Sequence, residues 1–194
     1  MIQPDEFVML VIAASGGQIR GKTLLQKRCY FLSHFMDYNL GYRAHYYGPY
    51  SPEVDDALGR VKALGFVDEH SEGFGIMNAV GFEVRRYDYR INNDGSIIAE
   101  DLKNKYPAEW SQIQVHLQRM KNAGDDGNYV SLSIAAKVHY VLLTQNQPMT
   151  PPKIKEVAEK FGWEIDDKMI DKAASFLEKL DLVKNSEPSP PHPL

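Results

Sequence analysis

The sequence predicts a mainly α-helical protein with a small antiparallel β wing. Two observations carry this. Apolar residues recur at helical spacing in most segments, as in Leu24, Leu25, Phe31, Leu32 and Phe35. The stretch from Phe82 to Ile91 instead mixes apolar and charged residues in β fashion. It lies between the glycine-rich run Gly73 to Gly81 and the turn-forming Asn92-Asn93-Asp94-Gly95.

The first helix should begin near Pro4, with Asp5 and Glu6 facing the positive end of its dipole, and stop at Gly16-Gly17. A second should run from about Lys22 to Asp37, with Cys29 as a small core residue on its apolar face. The aromatic stretch Tyr38 to Tyr50 follows. Ser51 and Pro52 then read as the cap and first residue of a third helix, with Val54, Ala57, Leu58, Val61 and Leu64 inward and Gly65 at its end. Phe66-Val67 starts one strand of the wing and Phe82 to Ile91 forms the other. Phe82 and Val84 are out of step with Tyr87, Tyr89 and Ile91, so a bulge is expected near Arg85-Arg86.

After the turn at 92–95, Ile97, Ile98 and Leu102 suggest a short helix. Pro107 opens another, with Trp110, Ile113, Leu117 and Met120 on one face. Helices from Ser131 to Gln145, from the Thr150-Pro151 cap, and from the Asp166 cap to Leu180 complete the chain. Residues 1–106 thus read as a winged-helix-like domain and 107–185 as a helical domain with a candidate second helix-turn-helix. Residues 186–194 read as a proline-rich tail. Val61 to Val67 and Leu177 to Val183 echo one another, each a helix end followed by an apolar strand start.

Composition narrows the function. Lys+Arg number 22 against Asp+Glu 26, a net charge of −4, which excludes a uniformly basic nucleic-acid coat protein. The lone Cys29 cannot form an internal disulfide, and six scattered histidines lack ligand spacing, so neither a metal nor another cofactor is expected. The acidic start and the short apolar run Phe7 to Ala14 point to a cytoplasmic protein without membrane association.

Gly16 to Thr23 fits the phosphate-loop pattern G-x-x-x-x-G-K-S/T, which would place Lys22 on a terminal phosphate and Thr23 on magnesium. Against a nucleotide-binding enzyme stand the helical periodicity of most later segments and the lack of an apolar strand ending in an acid. No other nucleophile or acid/base constellation is evident. A non-enzymatic chain is expected, with no catalytic residues.

Leu25-Gln26-Lys27-Arg28-Cys29-Tyr30-Phe31-Leu32, followed by Tyr46-Tyr47-Gly48-Pro49-Tyr50-Ser51 and Val54, resembles the pattern of the Panacea antitoxin domain and of related bacterial proteins with a winged-helix-like N-terminus. The resemblance spans about residues 4–105. It implies a small bacterial regulatory or antitoxin-like role, in some relatives neutralising a toxin by direct binding or delivering it to a protease. It also implies that Gly21-Lys22-Thr23 opens a helix and binds no nucleotide. The chain departs from the pattern at Arg28 and Cys29, where apolar residues are usual, and in its C-terminal half.

The leading expectation is therefore a binding protein that acts through a protein partner, with a toxin among the candidates. Of the aromatic stretch, Tyr42, Tyr47 and Tyr50 are the candidate contacts, and Tyr46 with Gly48-Pro49 is expected to be structural. The alternative is a winged-helix DNA-binding regulator. Glu53, Asp55 and Asp56 suit the third helix poorly to phosphates, so DNA would be held by Lys22, Lys27, Arg28 and Arg43 with Arg85, Arg86 and Arg90 of the wing.

Overall fold

Among the described residues, which are 2–77, 83–125 and 127–184 of the computed structural model, there are eight helices and one three-stranded antiparallel sheet. The expected mainly helical architecture is present. α1 (Pro4–Ala14) starts as predicted, and Glu6 folds back to accept the Gln3 N–H at 2.9 Å. Phe7 to Ile12 are all buried, so this helix is surrounded by core.

β1 (Gln18–Arg20) was not expected. It is three residues long with one apolar side chain, Ile19, too short to show alternation. α2 (Lys22–Phe35) and α3 (Pro52–Ala63) follow, the latter capped by Ser51, whose Oγ accepts the Val54 N–H at 3.1 Å. Leu64, expected to face inward, is instead 62% exposed.

β2 (Val67–Met77) and β3 (Glu83–Ile91) form the wing, and β1 adds to the other side of β3 to give the order β1-β3-β2. Ile19 pairs with Tyr89, and Val67 with Ile91. The irregularity expected near Arg85-Arg86 lies on the partner strand, where Gly73 faces Arg85 but Met77 faces Glu83. Positions 78–82 and the tail at 186–194 lie outside the described residues.

The predicted turn at 92–95 is the start of a helix. Asn92 caps α4 (Asn93–Lys105) by accepting the Gly95 N–H at 3.0 Å, which makes this helix thirteen residues long. Asparagine serves turns and caps through the same side-chain hydrogen bond, so the local sequence supported both. α5 (Pro107–Ala123), α6 (Tyr129–Gln145), α7 (Pro151–Lys160) and α8 (Asp167–Lys179) complete the fold.

The sequence echo is a shared helix ending. Phe66 N–H bonds Val61 O and Leu182 N–H bonds Leu177 O, both at 3.0 Å, with Gly65 and Asp181 in the left-handed region between them. Only the first ending leads into a strand among the described residues.

The buried apolar residues form a single cluster from Ile2 to Leu180. α2 is its shared wall, packing on α6 as well as on α1, α3 and α5. Cys29 is fully buried in it, and burial pushes its thiol well above the ordinary range. Among the described residues no helix is long and apolar enough to cross a membrane, and no group of three or more His, Cys, Asp or Glu is placed to hold a metal.

Candidate functional site

The loop joining α2 to α3 is held by its main chain and offers side chains outward. Lys27, only 2% exposed, donates from Nζ to Pro49 O at 2.6 Å. Gln26 bonds Ser51 twice, giving Nε2–H to its carbonyl at 2.9 Å and taking its N–H at 3.0 Å. From the far end of the chain, Trp163 Nε1 donates to His45 O at 2.7 Å. Ser51 Oγ also donates to Leu40 O. Arg43 and Tyr50 close the loop base by exchanging backbone hydrogen bonds.

Gly48 explains why the turn needs glycine. Its φ is +98°, and a Cβ there would come within 3.1 Å of Lys137 Cγ and 3.4 Å of Ser133 O on α6. The loop is thus seated directly on α6.

On this fixed loop Tyr46 and Tyr47 are 71% and 56% exposed, their rings edge to face at 4.8 Å. The sequence assigned Tyr46 to the structure, and that is corrected: it is the most exposed large apolar residue described. Tyr47, expected as a contact residue, is exposed. Tyr42, expected as another, is not: partly buried, it donates to Gln26 O at 2.9 Å and packs edge to face on Tyr30. Tyr50 is likewise tied down, donating to Asp55 Oδ2 at 2.6 Å, and burial with that neighbouring carboxylate pushes its phenol up to about 12.

Of the described side chains expected to hold DNA, Arg86 and Arg90 line a common cavity, and the others are placed apart from it. Lys22 pairs with Asp55 at 2.7 Å, Arg28 with Asp125 at 3.0 Å, and Arg86 grips Asp88 at 2.8 and 3.0 Å. Lys27 is enclosed beneath the loop, Arg43 is exposed at the loop base, and Arg90 donates to Gln18 at 3.2 Å. Arg85 lies in β3, its side chain outside the described residues. Lys22 therefore faces α3, Lys27 faces the loop, Arg28 faces the turn after α5, and Arg86 and Arg90 lie on the sheet. In the phosphate-loop match, Gly16 follows α1, a helix where that motif needs a strand, Gly21 caps the start of α2, and Lys22 is engaged by Asp55.

The seam between α2 and α6 is rich in bases. Burial, with repulsion from Lys137, pulls the Lys27 amine from 10.5 to about 7. His139, whose Nδ1 shares a 3.0 Å hydrogen bond with the Tyr30 hydroxyl, is drawn from 6.5 to about 3 by burial and by neighbouring His34. Both folded values lie below the unfolded ones, so the unfolded chain binds more protons. Stability is then fullest at alkaline pH; the Lys27 part is lost as pH falls from 10.5 to 7, and the His139 part as it falls from 6.5 to 3. Between pH 7 and pH 5 the His139 contribution alone should fall by about 2 kcal/mol. Thermal melts followed by circular dichroism check this, and a His139→Gln variant should show a flatter profile over the same interval. No family model matches this sequence, and no curated protein is significantly similar to it.

Proposed function

We propose that this chain is a non-enzymatic bacterial regulatory protein, antitoxin-like, that acts by binding a protein partner through the loop between α2 and α3. The observation that carries this is the pair Tyr46 and Tyr47, exposed on a loop whose main chain is clamped by Lys27, Gln26 and Trp163. Tyrosines held this way offer large contact area with little ordering cost on binding. The order α1-β1-α2-α3-β2-β3 with sheet order β1-β3-β2 supports reading residues 4–91 as a winged helix. The helix that would read DNA in such a fold supports a protein role instead. On α3, Glu53 and Asp56 are exposed, Arg60 pairs with Asp5 and Lys62 with Glu69.

A photo-crosslinking residue placed at position 47 in the native cell tests this. A discrete protein adduct is expected, absent when the label sits at the exposed control Ile97; adducts to nucleic acid alone would refute it. With that protein purified, the double substitution Tyr46→Ala, Tyr47→Ala should weaken binding by about 100-fold. It should shift stability by no more than about 0.5 kcal/mol per site, since neither ring is buried.

Duplex DNA is the second reading, on one specific observation. Arg20, His70, Arg86 and Arg90 line a shallow cavity of about 250 Å³ on the outer face of the sheet. That reading requires binding that weakens steeply with salt and is lost in an Arg20→Ala, Arg90→Ala variant.

A further inference from the structure

A second cavity, of about 380 Å³, opens where the end of α2 and the chain after it meet α6. Tyr30, Tyr38, Tyr42 and Tyr140 line it, with His34 and Asp37. Its charge is one-sided. Among the described residues, Asp37 is the only carboxylate on its wall, and neither lysine nor arginine lines it. His34, also on the wall, is held below the ordinary imidazole value by partial burial of its ring, which disfavours a positive charge there.

Asp37 is also electrostatically unfavourable at its local position. It follows the Met36 cap of α2 in the left-handed region, φ +49°, where glycine or asparagine is usual. Its negative charge lies at the negative end of the helix dipole. Its carboxylate makes no ion pair with any described residue. Local electrostatics disfavour this aspartate, and a cation bound beside it would offset that cost.

We propose that this cavity binds an organic cation, an alkylammonium or guanidinium group, among the tyrosine rings with the Asp37 carboxylate as counter-ion. Aromatic faces attract such cations through the ring quadrupole, and they do so more strongly where water is partly excluded. The volume suits a small amine or one basic side chain. The cavity shares the first part of the α2–α3 loop but includes neither Tyr46 nor Tyr47, and the proposal does not rest on the partner proposed for them.

Saturation-transfer NMR on the full chain tests the proposal with three probes: choline, argininamide, and the uncharged isostere of choline in which a tert-butyl group replaces the trimethylammonium. At least one cation should saturate in the low millimolar range or below, with the isostere weaker by about tenfold or more. Preference for choline identifies a free quaternary amine. Preference for argininamide, with tighter binding of an arginine-centred tripeptide, identifies a side chain presented by another protein. Asp37→Asn should weaken the cation by about tenfold without lowering the melting temperature, because asparagine tolerates the left-handed conformation. Equal binding of the isostere, no saturation by either cation, or an unaltered Asp37→Asn variant would overturn the assignment.

Discussion

Arg28→Ala should lower the stability of this protein by about 3 kcal/mol or more, the cost of leaving a buried charge without its partner. The Asp125 side chain is only 2% exposed, and its Oδ2 accepts from Arg28 Nε at 3.0 Å. Without the guanidinium, only the Gly127 N–H on Oδ1, at 2.9 Å, would remain of the hydrogen bonds described for that carboxylate. Arg28 also donates to Ser15 Oγ at 3.2 Å, so the end of α1 would loosen as well. Urea denaturation measures the loss, and adding Asp125→Asn to the Arg28→Ala chain should recover much of it. The contrast is Lys22→Ala, at a pair whose side chains are 48% and 29% exposed, where a loss under about 1 kcal/mol is expected. Equal effects at the two positions would show that Arg28 is a surface cation after all.

Gly95→Ala should be as damaging, against the usual sign for glycine in a helix. A Cβ on Gly95 would lie 2.0 Å from Phe66 O, and that oxygen already accepts the Asn92 N–H at 3.2 Å. A backbone carbonyl cannot rotate aside as a side chain could. Either α4 lifts away from the α3–β2 turn or that turn distorts, at a cost of about 3 kcal/mol. Gly59, exposed on α3 with nothing within 4 Å of its would-be Cβ, is the control. Gly59→Ala should stabilise by about 0.5–1 kcal/mol, because alanine is the better helix former and stiffens the unfolded chain. Melting temperatures should therefore move in opposite directions, and a fall at both positions would contradict the packing described here.

What could be read from the sequence was what is locally encoded. Pro4, Ser51, Asp166 and Gly65 each carry a cap or stop signal within a few residues, and the apolar stripes of α2 and α3 follow from one period. β1 was illegible because it is a strand only through its pairing with β3, some seventy residues away. Asn92 was ambiguous, and Gly95 settles it only because Phe66 closes over that turn.

The candidate site was half legible. Lys27 sits between Leu24 and Phe31 on the buried face of α2, a position that argued for enclosure; its charge outweighed its place in the stripe. Gly48 and Pro49 are structural as expected, both buried. Which tyrosines would face out was not legible, because it depends on Trp163 and α6, more than eighty residues downstream. The pairing of Arg28 with Asp125, 97 residues apart, left no trace in the local sequence.

The two carbonyls that hold the tyrosine loop, at His45 and Pro49, are gripped by Trp163 and Lys27, one from each end of the chain. The loop's shape is therefore a joint product of both halves of the chain. A partner meeting residues 1–106 alone would have to supply the free energy of ordering that segment itself. Residues 107–184 would supply part of it in advance, through Trp163 and α6, and the helical half would then act as a preorganising scaffold for the binding surface proposed above.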